Sequence, residues 1–149
     1  MKKYLFLGAV VLLLTGCIEM NIGDVSVTQK DGVLCFDIED EVMVRSDRVS
    51  INSIMVYEVG TQPAKILMHK DFFEKPLRPG KCIPYEGVPF ENNILYRVYL
   101  GVFIKYQRKN VINSYNRVFC FSEKNNSEKV FHSFKESERP ESCPVSSDE

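Results

Sequence analysis

Apolar and polar side chains alternate with a period of two along most of the chain, and this period predicts β-strands. In the clearest run, from Ile94 to Tyr106, every even position is apolar or aromatic, whereas the odd positions include Arg97, Gly101 and Lys105. Such a run buries one face and leaves the other mostly in water, as a strand of an antiparallel sandwich does. We therefore expect residues 94–106 to form a long strand over the core.

Shorter runs with the same alternation lie on both sides of this strand. They predict strands beginning at Val25 and over 33–38, 51–59, 64–69, 81–85 and 114–122, with one more near 130–134. Turn signals separate the runs, including Asp31-Gly32 and a hairpin turn near Lys109-Asn110, while the charged segment 39–48 indicates a loop. Seven or eight short strands without a convincing amphipathic helix predict an all-β sandwich.

The turn into the long strand carries Phe90-Glu91-Asn92-Asn93, followed by Tyr96-Arg97-Val98. This block resembles the turn into a late strand of fibronectin type III and immunoglobulin-like domains, where a tyrosine hydroxyl bonds back to the backbone and forms a tyrosine corner. The resemblance implies an antiparallel sandwich of that type with about seven to eight strands. It also implies a structural role for Tyr96, which we favour over a binding role.

The first seventeen residues follow a different pattern. Lys2 and Lys3 precede an apolar run over 4–14, and small residues lead to Cys17, as in a secretory signal peptide. The run is shorter than the roughly 20 apolar residues that span a bilayer. The ending Leu14-Thr15-Gly16-Cys17 resembles the lipobox of bacterial lipoproteins, which implies cleavage before Cys17 and lipid on its sulfur. An ordinary cleaved signal that leaves Cys17 as a thiol is the alternative.

The residue after this cysteine bears on the location of the anchor. It is Ile18, and not the aspartate that resembles an inner-membrane retention signal. By that analogy, we expect the anchor in the inner leaflet of the outer membrane, facing the periplasm, with surface display as an alternative. The chain then divides into a signal peptide (1–16), a lipidated tether (17–23), a β-sandwich (24–134) and a polar, largely disordered tail (135–149) that is pinned near Cys143.

The cysteines predict disulfides, and the net charge argues against one class of function. Besides Cys17 the chain has Cys35, Cys82, Cys120 and Cys143, and an even count in an exported chain predicts two disulfides. Three connectivities are open; we favour Cys35–Cys82 within the sandwich and Cys120–Cys143 pinning the tail. Removing the signal lowers the basic side chains from 19 to 17 against 20 acidic ones, a net charge of −3, which argues against a nucleic-acid binder.

No set of residues in the sequence indicates catalysis. A nucleophilic triad needs a base close to a serine or cysteine, and we interpret both His69 and His132 as solvated surface residues. The contiguous Glu39-Asp40-Glu41 indicates a solvated loop, and no phosphate loop, dinucleotide fingerprint or calcium loop is present. We therefore predict no catalytic residue, no metal site, no cofactor and no small-molecule substrate.

Several blocks match motifs of a known family. They are the lipobox, the early strand Gly32-Val33-Leu34-Cys35-Phe36, Lys81-Cys82-Ile83-Pro84, Phe90-Glu91-Asn92 and Tyr96-Arg97-Val98. Together they resemble small enterobacterial lipoproteins assigned as periplasmic immunity proteins of type VI secretion. The resemblance extends over residues 1–106; Cys120 and Cys143 lie outside it. It supports pairing Cys35 with Cys82.

Three functions are consistent with these patterns. The resemblance implies a membrane-anchored immunity protein that is not an enzyme and that binds and neutralises a toxin effector. The alternative is a structural or assembly lipoprotein of the cell envelope that acts through an immunoglobulin-like binding surface. An envelope hydrolase is the least favoured, because it requires a convergent active site that the sequence does not display.

Overall fold

The computed structural model of the chain describes residues 21–38, 49–76, 81–106, 109–124 and 128–145. The predicted signal peptide, the predicted lipidation site Cys17 and the predicted loop 39–48 lie outside these ranges. No helix within them is long and apolar enough to cross a membrane. The described ranges therefore cover most of the predicted sandwich and part of the predicted tail.

The described chain is almost entirely β-structure, as the alternation predicts. Its eight strands are β1 (Asn21–Lys30), β2 (Val33–Ile38), β3 (Val49–Glu58), β4 (Ile66–Pro76), β5 (Ile83–Pro84), β6 (Leu95–Tyr106), β7 (Lys109–Glu123) and β8 (Lys129–Phe134). A single 3-10 helix, Glu136–Glu138, is the one helical element in these ranges. The predicted all-β class is confirmed.

Hydrogen bonds join all eight strands into one sheet of order β4-β3-β6-β7-β1-β2-β5, with β8 beside β7. The two end strands, β4 and β5, line the same groove, so the sheet curls back on itself and encloses its core as a sandwich does. Neighbouring strands run antiparallel, except that β1 and β7 are parallel. The sandwich-like fold is confirmed, and the parallel pair is its one departure from the antiparallel pattern.

Strand β1 forms the parallel pair because it hydrogen-bonds to strands in both layers of the sandwich. Its start pairs with β7, with Asp24 opposite Asn116, and its later part forms a hairpin with β2. A long stretch of chain separates β1 from β7, so no tight turn forces them to be antiparallel. Gly23 lies at the irregular register of this pair, and a Cβ there would lie 2.6 Å from a ring carbon of Tyr115. The crossing between layers therefore depends on a residue without a side chain.

The core forms on the inner face of the curled sheet. The even positions of β6 that the alternation predicts to face the core, namely Tyr96, Val98, Leu100 and Val102, are buried in it. They pack with buried apolar residues of the other long strands into one cluster. One end of this core is aromatic: rings of Phe90, Tyr96 and Phe119 lie with centroids 4.8 to 5.8 Å apart.

Two disulfides tie chain segments to the sheet, Cys35 to Cys82 and Cys120 to Cys143. This is the pairing favoured from the sequence, and the first pair is the one that the family resemblance supports. Disulfides form and persist in oxidising compartments. The two bonds therefore indicate an oxidising, non-cytoplasmic compartment.

The second disulfide holds residues 135–145, which we call the strap, against the outer face of the sheet. Cys143 is buried there with Leu95, Val118 and Cys120 in a small apolar cluster that is separate from the main core. The sequence assigns the strap to a largely disordered tail pinned near Cys143. The strap contains the 3-10 helix, and its cysteine completes the outer apolar cluster.

Candidate binding groove

The two ends of the sheet meet along a line that we call the seam, where β4 faces residues 83–91. This segment contains β5 and the chain that leads towards β6. It is fixed to β2 in three ways: β5 pairs with that strand, Cys82 just before the segment is bonded to Cys35, and the N–H of Tyr85 donates to the carbonyl of Leu34 at 2.8 Å. The position of the segment against β4 then follows from the curl of the sheet.

The seam is closest at Gly87. A Cβ on this residue would lie 2.7 Å from the carbonyl oxygen of Leu67 in β4 and 2.3 Å from the hydroxyl oxygen of Tyr85. That hydroxyl donates to the carbonyl of Val88 at 2.6 Å. Burial of the phenol, with a smaller effect of Tyr96, raises the pKa of Tyr85 to about 12. The local contacts thus require glycine at this point and a neutral tyrosine beside it.

Ion pairs close the seam on either side of this contact. Lys65 Nζ lies 3.1 Å from Glu91 Oε1 and 3.1 Å from Glu58 Oε2. The hydrogen bond to Glu58, followed by that to Glu91, raises the pKa of Lys65 above its usual value. Further along β4, Lys70 Nζ lies 2.9 Å from Glu86 Oε2. At both places a lysine on the β4 side faces a carboxylate of the segment 83–91.

Beyond Lys70 the seam opens into a groove of about 180 Å³. Its apolar lining includes Ile51, Phe72 and Ile83, and its charged side chains are Lys70, Lys75, Lys81 and Glu86. Both ends of the sheet contribute, because the first two of these lysines belong to β4 whereas the third precedes β5. The groove is therefore a product of the curl and not of any one continuous stretch of chain.

The charges in the groove do not cancel. Glu86 is the single carboxylate among the described lining residues, and it is paired with Lys70. Of the described carboxylates, none lies within ion-pairing distance of Lys75 or Lys81. The ring of Phe72 lies between two ammonium groups, 5.5 Å from Lys75 Nζ and 5.7 Å from Lys70 Nζ, within the range of cation–π attraction. The groove is thus a basic, partly aromatic concavity on a protein that is acidic as a whole.

Tyr96, the residue assigned to a tyrosine corner, lies close to the other end of the seam. The backbone N–H of Glu91 donates to its hydroxyl at 2.9 Å, and the hydroxyl lies 3.4 Å from the carbonyl of the same residue. The side chain is 1% exposed, and its burial raises its pKa. This is the bond back to an upstream backbone group that defines the corner. Tyr96 therefore fixes the turn that carries Glu91 to the seam.

The two histidines lie on different strands and neither lines the groove, although His69 is next to the lining residue Lys70 in β4. His69 is exposed on β4, with Nε2 3.3 Å from Asp71 Oδ1. His132 on β8 forms a hydrogen bond of 2.8 Å with the hydroxyl of Ser122 on β7. Ser122 is 1% exposed and lies on the face that the strap covers, so a substrate has no access to its oxygen. A serine bonded to a histidine resembles part of a nucleophilic site, but its burial indicates a structural role.

Sequence reasoning missed both the groove and the Ser122–His132 pair. The pair depends on the register of β7 against β8, which alternation does not specify. The groove had a weak signal in the lysines at 65, 70 and 75, but lysines are also common on the edge strands of sheets and do not by themselves indicate a site. No group of three metal-ligating side chains occurs in the described ranges. The predicted lipidation site Cys17 lies outside them.

Comparison with known proteins identifies one relationship. The model of a family described as a domain of unknown function, DUF7480, matches residues 24–126. No curated protein and no solved structure matches the chain. The matched stretch begins within β1 and continues past the end of β7, so it includes both sides of the seam and the groove.

Proposed function

This chain belongs to the DUF7480 family, and we propose that it is a binding protein of the cell envelope that protects its own cell by neutralising a toxin delivered through type VI secretion. It acts in the periplasm, held to the outer membrane by lipid on Cys17. It binds a protein and does not catalyse a reaction. The groove and the adjoining seam are its docking surface.

The observation that carries this proposal is the positive charge of Lys75 and Lys81 in the groove, with which no described carboxylate pairs. Lys75 and Lys81 are exposed beside an apolar lining, in a chain with more acidic than basic side chains. A basic concavity on an acidic protein attracts an acidic surface of a partner and speeds the encounter. Enzymes, by contrast, bring a nucleophile or base to an accessible site, and the serine of the Ser122–His132 pair is buried.

The compartment supports the same assignment. The two disulfides require oxidation, which a lipoprotein exported to the periplasm meets and a cytoplasmic protein does not. The lipobox-like ending at Cys17 supplies the anchor, because several acyl chains on one cysteine hold a protein to a membrane far more firmly than a single chain. A tethered binding domain then meets the toxin where the toxin enters.

Neutralisation follows from occlusion. An interface of ordinary size covers about 800 Å² on each partner, enough to block the catalytic or pore-forming surface of a small toxin. A few residues near the centre of such an interface carry most of the binding energy. We assign that central role to the groove, with the exposed Ile66 and Val88 on the adjoining seam.

Deletion of the gene tests this proposal. In a strain with active type VI secretion, cells that lack the protein are expected to lose survival in contact with wild-type sister cells, and the full-length gene is expected to restore it. A matched strain with secretion inactivated in the attackers provides the control. Undiminished survival of the deletion strain beside secreting attackers would contradict immunity.

One feature favours a second candidate, an assembly lipoprotein of the envelope. Strand β4 ends the sheet and carries the exposed Ile66, and an end strand can accept a strand of a partner. Crosslinking in living cells from positions on β4 separates the two functions. Crosslinks to envelope components without a toxin, together with normal survival in the contact assay, would favour assembly.

A further inference from the structure

We propose that the groove receives an acidic side chain on an extended segment of the partner protein, and that Lys75 and Lys81 hold its carboxylate. This inference rests on the proposed function, since it takes a protein partner as its premise. It adds the chemistry of the contact and the residues that make it.

The first argument is the order of charges along the seam. Lys65 faces Glu91 and Lys70 faces Glu86, so that at two successive places a lysine on the β4 side meets a carboxylate from the segment 83–91. At the third place, Lys75 of β4 and Lys81 line the groove, and no described carboxylate lies within ion-pairing distance of either. A carboxylate from the partner continues the series at this place, where the described part of the chain supplies none.

The second argument is the shape and lining of the groove. Its floor carries apolar side chains, including Ile51 and Ile83, and the ring of Phe72, while the ammonium groups are part of the same concavity. A glutamate side chain has an apolar stem and a charged head, so it makes use of both parts. A free inorganic anion meets only the ammonium groups, and a flat membrane surface does not enter a concavity of about 180 Å³.

The third argument is the surface next to the groove. Ile66 and Val88 are 53% and 54% exposed, and each adjoins in sequence one of the residues, Leu67 and Gly87, that form the closest contact of the seam. A partner segment lying along the seam with its acidic side chain in the groove covers this apolar pair. Charge complementarity and apolar burial therefore select the same occupant, an extended segment with acidic and apolar residues.

A peptide titration tests the chemistry. The protein is purified from the cell envelope with both disulfides intact, labelled with ¹⁵N, and titrated in neutral detergent with a blocked pentapeptide of alternating valine and glutamate. The expected result is saturable shifts of the amide signals over 70–76 and 81–86. The same peptide with glutamine in place of glutamate is expected to bind about tenfold more weakly, because it lacks the charges.

Charge variants locate the site. The double variant Lys75→Gln/Lys81→Gln is expected to weaken binding of the glutamate peptide about tenfold, because it removes both ammonium groups that hold the carboxylate. The matched control, Lys124→Gln/Lys129→Gln, removes the same charge from exposed lysines outside the groove lining and is expected to change binding less than twofold. Glu86→Gln is expected to strengthen binding about threefold, because it removes a carboxylate of the groove and releases Lys70.

Several outcomes overturn the inference. They are equal binding of the glutamate and glutamine peptides, equal losses in the two double-lysine variants, and shifts confined to other strands. Inorganic phosphate and vesicles of phosphatidylglycerol are titrated in parallel. If either perturbs the groove at least as strongly as the glutamate peptide, the occupant is an anion or a lipid headgroup and not a protein side chain.

The survival assay with the deletion strain distinguishes a failure of this inference from a failure of the proposed function. Peptide binding as expected, combined with full survival of the deletion strain, overturns immunity and leaves the chemistry of the groove in place. Loss of survival on deletion, combined with peptide binding that ignores Lys75 and Lys81, retains immunity and overturns this inference.

Discussion

Two segments are tied to the sheet by a disulfide, and they differ in how they use their charged residues. In the strap, Glu136 accepts a hydrogen bond from Arg97 of β6 and lies 3.5 Å from Arg139. Next to Cys82, by contrast, Lys75 and Lys81 line the groove with no described carboxylate in reach. Glu136 and Arg139 of the strap are thus paired within the chain, whereas Lys75 and Lys81 of the groove have no described carboxylate partner.

This difference separates a stabilising segment from a binding one. The strap adds a buried cysteine, an outer apolar cluster and paired charges, all of which favour the folded state. The groove keeps the ammonium groups of Lys75 and Lys81 without a described carboxylate partner, an arrangement that favours a binding partner of opposite charge. The following predictions test that separation.

Removal of either disulfide is expected to have the largest effect. In the chain-entropy model, the 47-residue separation of Cys35 and Cys82 corresponds to about 4 kcal/mol and the 23-residue separation of Cys120 and Cys143 to about 3.5 kcal/mol. Paired substitutions to alanine, followed by denaturant unfolding, measure both values. We expect only the first pair to impair peptide binding as well, because it positions Lys81 and β5. Equal loss of binding in both variants would contradict the distinction between a stabilising strap and a binding groove.

Substitution of Gly87 is expected to have the next largest effect. A Cβ there meets the backbone carbonyl of Leu67, which cannot move aside as a flexible side chain would. Gly87→Ala should therefore lower the free energy of unfolding by about 1–3 kcal/mol. Ser137→Ala in the exposed strap serves as the control, with a change within about 0.5 kcal/mol. A similarly small change at Gly87 would show that the seam is loosely packed.

Neutralising one carboxylate in each segment is expected to have smaller effects. The variant in the strap should lower stability, whereas the variant in the groove should strengthen peptide binding. Glu136→Gln is expected to cost up to about 1 kcal/mol of unfolding free energy and to lose this effect in high salt, because it weakens the bond to Arg97. Glu86→Gln should change stability no more than that, since both members of its ion pair are about half exposed. It alone is expected to strengthen peptide binding. A gain in binding from Glu136→Gln would remove the distinction between the segments.

The weakest effect is expected at alkaline pH and is specific to the seam. The pKa of Tyr85 is raised to about 12, so the unfolded chain ionises before the folded one. This contribution to stability is complete below about pH 10 and is lost as the pH rises towards 12. Denaturant unfolding and phenolate absorbance across this range measure it, with Tyr85→Phe as the comparison. The strap contains no tyrosine and should not contribute. Ionisation of all tyrosines near pH 10 would contradict the prediction.

Much of the fold is readable from local pattern. The even positions of β6 that the alternation assigns to the interior, such as Val98 and Leu100, are buried, because a strand alternates its faces whatever its neighbours. The turn at Asp31-Gly32 has positive φ at both residues, which the aspartate–glycine sequence favours. The bond of Tyr96 to Glu91 spans five residues, so it too is a local feature.

The candidate site was not readable in this way. Lys75 and Lys81 are only six positions apart, but they flank the groove because the sheet curls and brings β4 and β5 together. The pairing of Ser122 with His132 likewise depends on one particular register between strands. The groove depends on the closure of the sheet and the Ser122–His132 pair on a strand register, and the alternation in a single sequence specifies neither.

The sequence by itself thus determined the β class, the main strand faces and the number of cysteines available for disulfides. It also supplied the lipobox-like signal at Cys17, which remains a prediction. Only the tertiary structure decided that β1 crosses between layers beside Gly23 and that the two ends of the sheet meet in a basic groove. The physical reason is range: alternation and turns arise within a few residues, whereas the closure of the sheet depends on how all eight strands pack at once.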